Sequence, residues 1–302
     1  MIPDNVTWFS DISHLLAEKL HKSAGSEQST VRLLHIDRLT GGDIHEAYRL
    51  HTSAGNYFLK TNTHPEAYRM FACEYHALER IHQTRTIRVP EPIAYYQAKG
   101  RAFLLMEFME KGKPVPRFWD LFAEQLALLH EVSYPLYGFE EDNFIGLLPQ
   151  PNPLMKHWPE FFAEARISPL VRQAFDQQLM DVSDLRLAES VLKKLPALLP
   201  DDRASLLHGD LWGGNFMVGD NGMPAVYDPA SYFGHREMDI AMADLFGGFD
   251  RHFFEAYATL ARLEQGWRRR LRLHQLYYLL VHLLLFGRSY YHQVKDILQT
   301  YA

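Results

Sequence analysis

The spacing of apolar positions divides the chain into two halves of different texture. Trp8, Phe9, Ile12, Leu15, Leu16 and Leu20 recur at helical intervals, so residues 8–20 read as a helix, followed by a small polar loop over 25–30. Three runs of strand character follow at 31–39, 47–52 and 57–61. Gly41-Gly42 interrupts the first pair and Ala54-Gly55-Asn56 the second, which gives a meander. The pattern then predicts a helix over 66–82 and two more strands over 93–97 and 102–108, with Lys99-Gly100 as their turn. These first 108 residues describe a small sheet with one principal helix. A breaker-rich connector, Lys111-Gly112-Lys113-Pro114-Val115-Pro116, comes next. Beyond it, 118–132 is amphipathic, with Leu121, Phe122, Leu126 and Leu129 on one face, and 161–175, 185–195, 241–261 and 267–291 look mainly helical. Only the glycine-rich stretch around 206–229 has strand character in this half. The expected fold is therefore α+β and bilobal: a small antiparallel-sheet lobe over 1–108 and a larger, mainly helical lobe over 109–302, the outline of a kinase. No internal repeat and no low-complexity segment is present.

Composition narrows the classes of function. The chain has 302 residues, 47% of them hydrophobic, enough for two cores. A net charge of −6 gives no electrostatic case for a nucleic-acid partner. Sixteen histidines are scattered without H-E-x-x-H or a Cys/His cluster, so a transition-metal site is not expected. The single cysteine, Cys73, excludes an intrachain disulfide and fits a reducing compartment. Met1-Ile2-Pro3-Asp4 has neither a basic nor an apolar leader character. The most apolar run, 276–286, is too short to span a bilayer and reads as a buried helix. The expectation is a cytoplasmic protein with no membrane partner. Nothing in the pattern specifies an oligomeric state, and a monomer is the working expectation.

The chemistry concentrates in His208-Gly209-Asp210-Leu211-Trp212-Gly213-Gly214-Asn215, followed by Tyr227-Asp228-Pro229. Asp210 and Asn215 are five residues apart, as in the kinase pattern H-R-D-x-x-x-x-N, and Asp228 follows 13 residues later, room for a short hairpin to return. Phosphoryl transfer needs a carboxylate for the attacking hydroxyl's proton, which suits Asp210, and hard oxygen ligands for Mg2+, which suit Asn215 and Asp228. Alone, Asp210 could be a surface turn residue; the spacing of the three favours catalysis. Apolar Leu206-Leu207 leads in, so the segment should leave a buried strand. His208 is expected to bond the loop backbone, and Asp239 could brace that loop through backbone N–H groups. Lys60 ends a strand, where a kinase lysine holds the phosphates of ATP, and Glu74 on the next helix is its expected partner, with Glu79 as competitor. Gly41 and Gly42 would let backbone approach phosphate, although a plain hairpin turn is the alternative and neither G-x-G-x-x-G nor a Walker sequence occurs. Glu107, Phe108 and Met109, after Met106, end the last strand where backbone groups could meet adenine; a strand running into a linker reads the same. Trp212 could stack beside a sugar or pack in the core. His282 is either a core histidine or a substrate contact.

These residues resemble the fructosamine kinase (ketosamine-3-kinase) family. The resemblance rests on the 208–215 stretch, Tyr227-Asp228-Pro229-Ala230, Gly234-His235-Arg236-Glu237 and Leu245-Phe246-Gly247-Gly248-Phe249. Gly138-Phe139 with Asn143-Phe144-Ile145-Gly146, and Trp158-Pro159-Glu160-Phe161-Phe162, add to it. It spans about 39–287. It implies a protein-kinase-like fold and ATP-dependent phosphorylation of O3 on a ketosamine, whose unstable 3-phosphate decomposes and frees the amine. It also implies Asp210 as proton acceptor, Asn215 and Asp228 as metal ligands, Lys60 on phosphate, 106–109 as adenine hinge, and Trp212 at the sugar. Several relatives carry a redox-controlling cysteine in the glycine-rich loop; here that loop reads Gly41-Gly42-Asp43-Ile44, so no thiol switch is expected from it. Two rivals stay open. One is an aminoglycoside- or choline-type kinase, which an acidic pocket from Glu140, Glu141 and Asp142 would favour. The other is a nucleotide-binding pseudokinase, which the retained Lys60, Asp210, Asn215 and Asp228 oppose.

Overall fold

The computed structural model describes Ile12, residues 31–40 and residues 44–302. The helix expected over 8–20 lies outside them except for Ile12, which is helical and buried. Gly41 and Gly42 lie outside them as well.

Strands β1 (Leu33–Leu39), β2 (Glu46–Thr52), β3 (Gly55–Asn62), β4 (Pro92–Ala98) and β5 (Arg101–Glu107) form one antiparallel sheet in the order β1-β2-β3-β5-β4. Side chains alternate across it, as the pleat requires. Phe103 and Leu105 of β5 join Leu59, Leu50, Ile36 and Ile12 on one face, while Ala102, Leu104 and Met106 join the main core on the other. Helix α1 (Ala67–Thr84) covers that second face with Phe71, Leu78 and Ile81. Lys60 follows Leu59 and so points to the side of α1, paired in register with Ala47 and Leu104.

The connector is stitched to the second lobe rather than free. Gly112 N–H donates to Val218 (3.0 Å) and Val115 N–H to Gly222 (3.1 Å), and a Cβ on Gly112 would collide with the Gly219 carbonyl. Helix α2 (Phe118–Glu131) follows as expected. Next come α3 (Trp158–Phe161), a π-helical segment Phe162–Ile167 and α4 (Ser168–Asp176), then α5 (Val182–Leu198), α6 (Glu237–Leu245), α7 (Arg251–Leu260), α8 (Trp267–Phe286) and α9 (Tyr291–Tyr301). The result is a bilobal α+β fold with a small N-terminal sheet and a larger helical lobe.

Three readings of the second lobe change. The helix expected over 241–261 is two helices, because Gly247 and Gly248 adopt φ of +75° and +94° and turn the chain between α6 and α7. Gly287 (φ +84°) likewise ends α8, so 267–291 is not continuous. The stretch 206–229 is not the only part of this half with strands: β7 (Asn143–Ile145) and β8 (Leu148–Gln150) form a small hairpin around Gly146 (φ +58°). β6 (Ser133–Tyr134), β9 (Ala204–Leu206) and β12 (Phe233–Gly234) make a further sheet, and β10 (Phe216–Val218) with β11 (Pro224–Val226) makes the hairpin expected between Asn215 and Asp228. These strands have two or three residues each, too few for a period to register.

Candidate active site

The buried strand β9 delivers Leu206-Leu207 to the loop that carries Asp210. The loop turns at Gly209 (φ +86°), where a Cβ would meet the Ala230 carbonyl, so only glycine fits. Asp239, buried at the start of α6, braces the turn. Its carboxylate accepts from His208 N–H (2.7 Å) and Gly209 N–H (2.8 Å), and His130 Nε2 lies 3.0 Å from it. Burial would raise the Asp239 pKa, but these bonds and the nearby imidazoles hold it below the ordinary carboxylate value. His130, not anticipated from sequence, is in turn held at Nδ1 by the Tyr257 hydroxyl (2.5 Å). It lies on a face of α2 whose period explains it as core, so nothing in the sequence distinguishes it.

His208 behaves as expected of a loop-bonding residue. Asp210 N–H donates to its Nδ1 (3.3 Å) and its Nε2 meets the Tyr227 carbonyl (3.0 Å), which fixes a neutral ring protonated at Nε2. Burial lowers its pKa to match. Asn215 Nδ2 donates to both the Asp210 carbonyl (2.9 Å) and the Asp210 carboxylate (3.0 Å). The amide is thereby oriented, and Oδ1 is the atom left for another partner. Asp210 is pushed up to about 7, first by burial and then by the charge of Asp228.

Asp228 follows β11 and holds φ at +57°, a conformation that aspartate tolerates better than most residues. The hairpin returns it to the cleft, where its carboxylate bonds Lys60 of β3. Lys60 also donates to Glu74 of α1 at 2.7 Å, so Glu74 and not Glu79 is its partner. Burial opposes the ammonium charge, but the carboxylates of Asp228 and Glu74 outweigh it and raise the Lys60 pKa; burial raises that of Glu74 against the pull of Lys60. Thus Lys60, Glu74, Asp210, Asn215 and Asp228, drawn from both lobes, meet in one cleft. The donor set is that of a hard cation: the Asn215 amide oxygen and a half-exposed Asp228 carboxylate.

The other candidates divide. Trp212 is not core: its indole is 39% exposed and lies across Gly214, where any Cβ would overlap the ring. His282 sits on α8 with Nδ1–H donating to its own helix at Tyr278 (2.8 Å) and its ring against Phe246 (4.5 Å). At the end of β5, Glu107 is partly spent. Its N–H goes to the Glu91 carbonyl (2.9 Å) and its carboxylate to Arg88 and Glu91 N–H (3.2 Å), so those groups are not offered to a ligand. The Phe108 ring lies beside Phe58 (6.4 Å) and under the Arg49 guanidinium (4.3 Å), and Met109 lies between β5 and the connector.

Glu140, Glu141 and Asp142 do not form an acidic acceptor pocket. Glu140 pairs with Arg80 and Glu141 with His76 (2.8 Å), both on α1, while Asp142 accepts from Asn152 N–H (2.7 Å). They tie the lobes together. A separate buried cluster, His235, Glu237 and His274, has the residue types of a metal site. Arg270 nevertheless occupies the Glu237 carboxylate (2.5–3.2 Å) and Trp158 Nε1 faces His274 Nε2 (3.3 Å), so the cluster is a buried ion pair with aromatic packing. Sequence spacing hides it, because His235 and His274 stand far apart along the chain.

None of the described helices is long and apolar enough to cross a membrane. Among solved structures, one assigned by name to the fructosamine-3-kinases, from Haemophilus somnus 129PT, superposes with a TM-score of 0.83 over 96% of both chains at 28% identity. Another so assigned, from Thermobifida fusca, gives 0.79 at 33% identity, covering 89% of this chain and 93% of that one. A relative from Enterococcus faecium, named a probable ketoamine kinase, is 40% identical over 268 residues, 87% of this chain and 94% of its own length. The family model for fructosamine kinases matches residues 14–302, which include both lobes and the five residues of the cleft. The chain belongs to the fructosamine kinase family.

Proposed function

We propose that this protein transfers the terminal phosphate of ATP to the O3 hydroxyl of ketosamines of the fructosamine or ribulosamine type, and that the reaction serves deglycation. The observation that carries the reading is the convergence of Lys60, Glu74, Asp210, Asn215 and Asp228 in the cleft of a family member, with Trp212 open to solvent on the same loop as Asp210. In this reading the N-terminal lobe is assigned the nucleotide, with Gly41 and Gly42 as its phosphate contacts and 106–109 as its adenine contact. Residues 109–302 form the lobe that holds metal and acceptor. The lone cysteine suits a cytoplasmic setting.

Asp210 takes the O3 proton as the hydroxyl oxygen attacks. A carboxyl near 7 is matched to that task at neutral pH, since about half of it is ionised there and the carboxylate is basic enough to accept. Asn215 Nδ2 keeps the Asp210 carboxylate aimed, and Asp239 keeps the turn beneath it rigid. Asn215 Oδ1 and the Asp228 carboxylate would hold magnesium; Lys60, fixed by Glu74, would hold phosphate oxygens. When bound, Mg-ATP supplies the electrophilic phosphorus and the neutralisation of charge on its oxygens. Trp212 gives the sugar an apolar face. No covalent enzyme intermediate is required. With Glu140, Glu141 and Asp142 engaged elsewhere, the acidic-pocket argument for an aminoglycoside or choline acceptor loses its residues.

The test is turnover of Mg-ATP with a synthetic fructosamine, the phosphosugar followed by mass spectrometry, with Asp210→Asn as control. A 3-phosphate formed by wild type and missing from the variant is the expected result. ATP binding without any phosphosugar would refute the ketosamine assignment.

A further inference from the structure

Few aromatic residues among the described ones are more than a third exposed, yet Phe246 and Phe286 are, at 38% and 56%. They are not scattered. Phe246 lies 4.5 Å from His282, His282 5.4 Å from Phe286 and 5.1 Å from Tyr290, and Phe286 6.2 Å from Tyr290, centroid to centroid. Contiguous exposed apolar surface of this kind usually marks a place of binding.

The stripe is built outward from the catalytic loop. On α8, the Tyr278 hydroxyl donates to the Gly209 carbonyl (3.2 Å), next to Asp210. His282 and Phe286 follow at i+4 and i+8, on the same helix face. Each step advances about 6 Å along the axis. Gly287 then ends the helix, and the 3-10 turn Arg288–Tyr290 folds Tyr290 back beside His282. From the other side, Gly247 and Gly248 release Phe246 from α6, and Gly248 packs so closely on Gly213 that a Cβ there would lie 2.8 Å from the Gly213 Cα. Phe246 is therefore anchored to the same loop as Trp212. The stripe holds no carboxylate. Its imidazole, His282, is biased to the neutral form by burial, and the nearby Arg288 guanidinium lies over Tyr291 (4.8 Å).

A ketosamine whose O3 sits at Asp210 carries its nitrogen four bonds from that oxygen, through C3, C2 and C1, and the amine's own substituent extends beyond that. We propose that Phe246, His282, Phe286 and Tyr290 form the subsite for this amine-derived substituent, and that they select ketosamines in which it is aromatic or otherwise apolar. The proposal rests on the ketosamine reading above and adds a substrate class to it. Ring-on-ring contact along the stripe favours a planar group over a short polar one, by offset or edge-to-face stacking.

The experiment compares two acceptors with the same fructosyl head: 1-deoxy-1-(benzylamino)fructose and 1-deoxy-1-(methylamino)fructose. The quantity read is the ratio of their kcat/KM values. Wild type should favour the benzyl compound by about tenfold or more, mainly through KM, the scale expected when one well-placed apolar group gains a pocket. Phe286→Ala and Tyr290→Ala should pull the ratio toward unity, and Phe286→Tyr should keep it. Because both substrates are measured on one preparation, partial misfolding cancels from the ratio. Equal kcat/KM values in wild type, or a benzyl preference undiminished in both alanine variants, would overturn the subsite while leaving the ketosamine reading standing. Turnover of neither compound would overturn both.

Discussion

Asp210 is held where a carboxylate is expensive to ionise. Its carboxyl sits at about 7 against an ordinary 3.8, because burial and Asp228 both disfavour the charge. The unfolded chain gives up that proton near 3.8, whereas the folded chain keeps it until about 7. The stabilisation from a neutral Asp210 is therefore complete below 3.8 and lost as pH rises through 7. Every tenfold change in proton affinity between the two states is worth about 1.4 kcal/mol, so the ionised form costs folding a few kcal/mol at pH 8. Asp210→Asn keeps the shape and an acceptor for Asn215 but cannot ionise. In protein free of magnesium and nucleotide it is predicted to melt above wild type, by roughly 2 °C or more at pH 8 and by less at pH 5. The same variant should lose turnover by about 10²–10⁴. Thermal melts at the two pH values check the first point; a variant no more stable than wild type at pH 8 would mean that Asp210 is well solvated.

At the scale of elements, the loop between β9 and β10 is fixed by glycines with separate duties. Gly209 supplies a positive φ and a close approach to Ala230, so its replacement should disturb the backbone itself. Gly214 has an ordinary backbone, and the atoms a Cβ there would meet first belong to the Trp212 ring. Gly214→Ala is thus a selective probe of the indole's position. It should raise the KM for ketosamine about tenfold through loss of an oriented aromatic face, with the KM for ATP little changed and the melting temperature within about 1 °C of wild type. Steady-state kinetics in both substrates check it, and a matched rise in the KM for ATP would show that the whole loop had moved. The breaks at Gly247-Gly248 and Gly287 act at helix ends: each stops a helix next to an exposed aromatic residue, Phe246 and Phe286.

For the molecule as a whole, the lobes are joined across the cleft by Lys60 with Asp228, and on the flank by Arg80 with Glu140 and His76 with Glu141. The flank pairs are partly exposed, so they guide the relative placement of the lobes more than they stabilise it. Cys73 lies under this seam. Its thiol is buried, donates weakly to the Asp142 carbonyl (3.6 Å), and is pushed up to about 12 by burial and by the charge of Glu141. Native protein should therefore resist thiol reagents at pH 8, with labelling that follows unfolding, and mild oxidation should leave activity unchanged. Loss of activity on oxidation, reversed by reductant and absent from Cys73→Ser, would refute this. Much of the architecture was legible in sequence, because long elements repeat their period often enough to be read: β3, β5, α1 and α2 fall within a few residues of their expected bounds. The spacing of Asp210, Asn215 and Asp228 was legible for the same local reason, since one loop and one short hairpin carry all three. What the sequence determined by itself was thus set by neighbours along the chain. That Glu74 closes on Lys60 as its position suggested, that His130 supports Asp239, that Glu140 and Glu141 face α1, and that Trp212 lies open instead of packing in the core were settled only by tertiary structure. Those contacts join residues from about 14 to more than 100 positions apart, and their energy comes from burial and charge pairing that exist only once the lobes have packed.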